Sequence, residues 1–154
     1  MKLTVATAPE SLSRVKPSSR KPVRVGLVQM HWEPNAQQHQ ANLAAGVKLA
    51  ADNGAKIVFL PELTLSRYPA DQLPQGTPNA NAEKLSGGPT HNFAAAAAKA
   101  NNVYVHASLY EYQDMADGRG LNVAIVVAPD GTIVARTPKL HIPVTAGYYE
   151  DKYF

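Results

Sequence analysis

Apolar positions change period along this chain, and the changes mark out its elements. Val23-Arg24-Val25-Gly26-Leu27-Val28-Gln29-Met30 alternates loosely and is rich in β-branched residues, which predicts a buried strand. Pro34 interrupts it. From Ala36 to Asn53 the positions Leu43, Val47, Ala50 and Ala51 recur at helical spacing, and Gly54 follows as a stop. Lys56-Ile57-Val58-Phe59-Leu60 is a short apolar run closed by Pro61, as in a buried strand parallel to the first. The opening unit therefore reads βαβ.

The stretch from Thr64 to Pro89 is punctuated by Pro69, Pro74, Gly76, Pro78, Gly87 and Gly88, so it is expected to be mainly loop with a short helical piece. A helix follows over 90–101, where Thr90 is the expected N-cap and the alanine run Ala94–Ala98 gives high helix propensity. Val103–Leu109, Leu121–Ala128 and Thr132–Arg136 read as strands. Pro129-Asp130-Gly131 turns the last two into a hairpin. The result is an α/β fold with a mixed sheet.

Composition narrows the possibilities. The chain is 45% hydrophobic and 18% charged, the balance of a folded domain. Neither a transmembrane run nor the apolar stretch of a secretory signal is present, which leads us to expect a cytoplasmic protein without membrane partners. Its formal charge of +3 comes from the start: residues 1–22 hold Lys2, Arg14, Lys16, Arg20 and Lys21 against Glu10. Residues 23–154 then keep ten basic and eleven acidic groups. That argues against a nucleic-acid partner, which would need a basic face. The Ser/Pro-rich residues 1–22 read as a flexible basic tail, with an organelle transit peptide as the other reading. Residues 23–154 form the domain.

Three charged residues are placed for chemistry. Glu62 stands just beyond an apolar strand, where ligands bind in α/β sheets, as a general base would. Lys139 follows the last strand, as a group stabilising an oxyanion would. Glu150 sits in Tyr148-Tyr149-Glu150-Asp151-Lys152-Tyr153-Phe154, whose aromatic residues would desolvate it. Position alone does not separate these roles from solvated surface charges. His31, His39, His91, His106 and His141 lack ligand spacing, and His106 reads as a core or sheet-end histidine. With no cysteine among the 154 residues, no thiol nucleophile or disulfide is available within them.

Three segments resemble the nitrilase superfamily of carbon–nitrogen hydrolases: Val25–Met30, its opening strand; Val58-Phe59-Leu60-Pro61-Glu62-Leu63, the segment of its general base; and Arg136-Thr137-Pro138-Lys139-Leu140-His141-Ile142-Pro143, the segment of its lysine. The resemblance implies the N-terminal part of a four-layer αββα sandwich, with helices on one face of the sheet. It also implies that Glu62, Lys139 and Glu150 are catalytic, and that no metal or organic cofactor is used. The family's nucleophilic cysteine lies downstream of its lysine, beyond Phe154, so the chain is expected to be an inactive N-terminal fragment. Its whole protein is expected to be a homo-oligomer acting on a small linear amide or N-carbamoyl amine. Lys139–Phe154 is most similar to N-carbamoylputrescine amidases and β-ureidopropionases. Leu63–Leu73 is closer to the glutaminase domains of glutamine-dependent NAD synthetases. The other class of answer is a non-catalytic assembly or binding subunit built on the same fold.

Overall fold

The computed structural model describes residues 1–7, 12–13, 16 and 19–154. The tail expected over 1–22 therefore lies partly outside the described residues. Residues 1–7 are exposed and take no regular secondary structure.

The element order is β1 (Val25–Leu27), α1 (Ala36–Asp52), β2 (Ile57–Phe59), α2 (Pro89–Asn101), β3 (Tyr104–Glu111), β4 (Leu121–Val127), β5 (Ile133–Pro138) and α3 (Glu150–Tyr153). Two short 3₁₀ turns, Pro69–Asp71 and Pro78–Asn81, punctuate the long loop before α2. The five strands lie in sequence order in one sheet, the first three parallel and the last two antiparallel.

Paired residues in neighbouring strands share a sheet face, so the register sorts the side chains. Gly26, Val58, Val105, Val127 and Ile133 form one row. This face carries the core: Leu43 and Val47 of α1 and Ala94, Ala97 and Ala98 of α2 pack against Val58, Val105, Leu109, Val123 and Ile125. Both helices cover it. At Gly26 a Cβ would stand 2.6 Å from the Ala50 Cβ, so only glycine lets α1 settle on β1 this closely.

The opposite row runs Leu27, Phe59, His106, Val126 and Ala135. No helix among the described elements covers it, and Leu27 is 77% exposed. Here the sequence reading needs correction. The first strand is not buried: it is three residues long and sits at the sheet edge. Its alternation directs Gly26 inward while Val25 and Leu27 face outward.

The helix ends show what sets their limits. Asn35 caps α1, its side chain accepting the Gln38 N–H at 2.9 Å. Thr90 does not cap α2. Gly88 takes the N-cap, because a Cβ there would lie 2.0 Å from the Lys84 carbonyl oxygen, and Pro89 fills the first helical position. Thr90 lies inside the first turn instead. Its N–H and hydroxyl donate to the two carboxylate oxygens of Glu83, at 2.7 and 2.6 Å. A carboxylate from the preceding loop thus does the work expected of a capping side chain. At the far end Asn102 closes α2 in the left-handed conformation, at φ 51°. Among the described residues no helix is long and apolar enough to cross a membrane.

Candidate active site

Glu62 owes its position to an interruption in strand pairing. The Leu60 N–H donates to the His106 carbonyl at 3.0 Å, and the Thr64 N–H donates to the Ser108 carbonyl at 2.8 Å. Between them Pro61, Glu62 and Leu63 loop out. The Thr64 hydroxyl closes the excursion: it donates to the Pro61 carbonyl at 2.9 Å and accepts the Ser108 N–H at 2.9 Å. Leu63 pays for the turn with φ 48°, a strained conformation for a residue with a Cβ, and buries its side chain to 2% exposure. Leu63 goes in and Glu62 is left 50% exposed.

Lys139 comes to the same end of the sheet. β5 pairs with β4 through Val123 and Pro138, and the Lys139 N–H donates to the Asn122 carbonyl at 2.8 Å. Its Nζ lies 3.0 Å from Oε1 of Glu62, bridging 77 positions of sequence. The pair is half open to water, so it adds little to stability, on the order of 0–1 kcal/mol. Its significance is therefore the placing of a cation beside a carboxylate at converging strand ends.

Glu150 is in the same neighbourhood without touching Lys139 or Glu62. It opens α3, is 5% exposed, and leaves its Oε2 without a hydrogen-bond partner. Its contact toward the site is the Tyr68 hydroxyl, at 3.4 Å from Oε1, long for an O–H···O bond. The Tyr68 phenol feels the charge of both carboxylates. Burial, then the charges of Glu150 and Glu62, push its phenol up to about 12, so it stays protonated and able to donate.

Reading the sequence alone missed three members of this region. Tyr68 lies in a loop with no periodicity. Asn122, 4% exposed, donates from Nδ2 to Oε1 of Glu62 at 2.6 Å. Its signal was a polar residue in the otherwise apolar strand Leu121–Val127. His39, buried on α1, sets its Nε2 2.8 Å from the Thr64 carbonyl while Nδ1 receives the Glu33 N–H at 3.4 Å. That places the Nε2 proton toward Thr64, so α1 holds the loop that carries Glu62. His106 stands apart from the site. It faces the uncovered side of the sheet, its ring 5.0 Å from that of Phe59, and burial lowers its basicity.

The model of the carbon–nitrogen hydrolase family matches residues 24–154. Omega-amidase NIT2 of Homo sapiens is 30% identical over 119 residues, which are 77% of this chain and 40% of that protein. A citrullinase of Francisella tularensis subsp. tularensis is 30% identical over 134 residues, 86% of this chain and 45% of its own length. These relatives do not single out N-carbamoylputrescine amidases. Among solved structures, a carbon–nitrogen hydrolase from Helicobacter pylori G27 superposes with a TM-score of 0.69 at 25% identity, covering 86% of this chain and 44% of that one. An amidase from Nesterenkonia sp. AN1, with acrylamide added at its active site cysteine, superposes at 0.60 and 16% identity over 80% of this chain and 46% of that one. The second likeness is one of fold alone. The chain thus spans less than half the length of these proteins, and its helix layer and mixed sheet are the N-terminal part of their fold. With the family model matched from just before β1 to Phe154, this chain belongs to the carbon–nitrogen hydrolase family, the nitrilase superfamily.

Proposed function

We propose that the protein carrying this chain hydrolyses the carbon–nitrogen bond of a linear amide or N-carbamoyl amine. Glu62 serves as general base, Lys139 as the cation for the oxyanion, and a cysteine from outside these 154 residues as nucleophile. The observation that carries this reading is the 3.0 Å approach of Lys139 Nζ to Glu62 Oε1. Glu62 takes the thiol proton as sulfur bonds to the carbonyl carbon. Negative charge then gathers on the former carbonyl oxygen, where Lys139 balances it. As the intermediate collapses the C–N bond breaks, and the proton held by Glu62 goes to the departing amine or ammonia. Glu62 next takes a proton from water, which attacks the thioester. The acid leaves and the thiol is restored.

Glu150, which the Tyr68 hydroxyl approaches at 3.4 Å, orients the substrate or the lysine in this reading. The names of the relatives support both substrate classes: an omega-amidase implies a terminal amide, and a citrullinase implies citrulline, itself an N-carbamoyl amine. Resemblance of Lys139–Phe154 to the N-carbamoylputrescine amidases and β-ureidopropionases favours the carbamoyl class.

Glu62→Gln in the longer, cysteine-containing protein tests the reading. It keeps the shape and removes the proton acceptor, so ammonia release should fall by roughly 100-fold or more. Near-normal turnover would make Glu62 a structural residue. The 154-residue chain by itself should release no ammonia, because it contains no cysteine.

A further inference from the structure

Glu62 receives two donors, and both land on the same oxygen. Lys139 Nζ reaches Oε1 at 3.0 Å and Asn122 Nδ2 reaches it at 2.6 Å, while among the described residues no hydrogen bond is directed at Oε2. The two donors also come from one structural unit. Asn122 stands near the start of β4, opposite Tyr110, and its carbonyl accepts the Lys139 N–H at 2.8 Å. A single residue thus fixes the Lys139 backbone with its own backbone and the Glu62 carboxylate with its side chain.

The chemistry of an amide suits this task. Asparagine donates from nitrogen and has no proton to lose near neutral pH, so it can hold a carboxylate without competing for the proton that carboxylate moves. The opposite amide orientation would set a carbonyl oxygen against the carboxylate, which is repulsive, so the donating orientation is the one the site permits. The contrast in burial matters too. Glu62 is half exposed on a looped-out segment and has several rotatable bonds, whereas Asn122 is buried in a strand. The rigid partner orients the mobile one.

We propose that Asn122 is a positioning residue for the reaction: with Lys139 it anchors Oε1 of Glu62 and leaves Oε2 as the oxygen that takes and returns the proton. This rests on the reading of Glu62 as general base. Among the described residues the groups bonded to Glu62 are Lys139 from the end of β5 and Asn122 from β4, while Tyr68 from the loop before α2 feels the Glu62 charge and contacts Glu150.

The experiment uses the longer, cysteine-containing protein and three variants, with ammonia release measured across pH. Asn122→Leu removes the donor at similar size. It should lower kcat by roughly 10- to 100-fold with KM changed by no more than about twofold, because orientation rather than binding is lost. Asn122→Asp puts a second carboxylate against Glu62. It loses the donor and adds a charge, so it should lower kcat as the Leu variant does and also move the acid limb of kcat/KM upward by about one pH unit, a displacement expected only if this side chain faces the group whose ionisation sets that limb. If the Leu variant does not fold, the near-isosteric Asp variant decides the matter. Glu62→Gln separates the two levels. Retained turnover there would defeat the general-base reading itself. If Glu62→Gln is inactive while the folded Asn122 variants keep parental kcat and an unmoved acid limb, Asn122 has no positioning role.

Discussion

Two apolar clusters among the described residues are built by different means. The larger one joins Leu43 and Val47 of α1, the alanines of α2 and alternate residues of β2, β3 and β4. Each element supplies its share at a fixed spacing, and any one of them taken alone already shows an apolar side. The smaller cluster joins Leu63, Ala70, Tyr110, Tyr153 and Phe154. Its members come from the loop after β2, a 3₁₀ turn, the end of β3 and the segment around α3. Aromatic edges join them: the rings of Tyr110 and Phe154 meet at 5.2 Å and 85°. The first cluster holds the sheet to its helices. The second holds the candidate site, because Leu63 follows Glu62 directly and α3 begins at Glu150. Period builds the scaffold here, and convergence of distant segments builds the site.

The largest expected effect tests the first cluster. Leu43 is fully buried between α1 and the sheet, so Leu43→Ala should cost about 3 kcal/mol, the usual range for an aliphatic cavity. Urea unfolding would measure it. Equal stability of variant and parent would mean that α1 does not hold the sheet.

A smaller effect tests the junction between scaffold and site. Thr64→Val keeps the shape but removes the hydroxyl that closes the Pro61–Leu63 excursion, leaving the Ser108 N–H without its acceptor. The cost should be about 2 kcal/mol, the scale of a buried donor left unpaired. If the comparison between clusters is right, the loss should appear as faster amide exchange around Glu62 and Ser108 before it appears in α1. Uniform exchange across both regions would erase the distinction.

The smallest effect distinguishes two tyrosines of the site region. Burial raises both Tyr68 and Tyr110 from 10.0 to about 12, but only Tyr68 is also raised by Glu150 and Glu62. The folded state therefore holds protons that the unfolded chain releases. Stability is fully present below pH 10 and declines as pH rises from about 10 to about 12. Tyr68→Phe and Tyr110→Phe should each flatten that decline. Glu150→Gln should bring the absorbance titration of Tyr68 down and leave that of Tyr110 in place. A shift of both phenols together would show that Glu150 acts through general loosening rather than through its charge on Tyr68.

Local chemistry was enough to determine several things. The βαβ opening, the hairpin turned at Pro129-Asp130-Gly131 and the alanine-rich helix followed from periods and turn residues that act over a few positions. Glu62, Lys139 and Glu150 were singled out because short motifs surround them; the structure sets Lys139 3.0 Å from Glu62 and gives Glu150 to Tyr68. Other features depended on pairing partners remote in sequence. Val25 and Leu27 read as buried because alternation reports that a strand has two faces, not whether both are covered. Thr90 read as a cap because its type fits one, but the close approach of the Lys84 carbonyl reserves that position for Gly88. Asn122 could not be assigned to Glu62 from sequence, because a hydrogen bond across 60 positions exists only once the strand register has brought its ends together; the Tyr68 hydroxyl, whose partner Glu150 is 82 positions away, escaped for the same reason. The sequence alone determined which charged residues were candidates for chemistry, since that depends on side-chain type and immediate neighbours. Only the tertiary structure decided which oxygen of Glu62 is held and by what, since that depends on distances of about 3 Å between segments the chain keeps far apart.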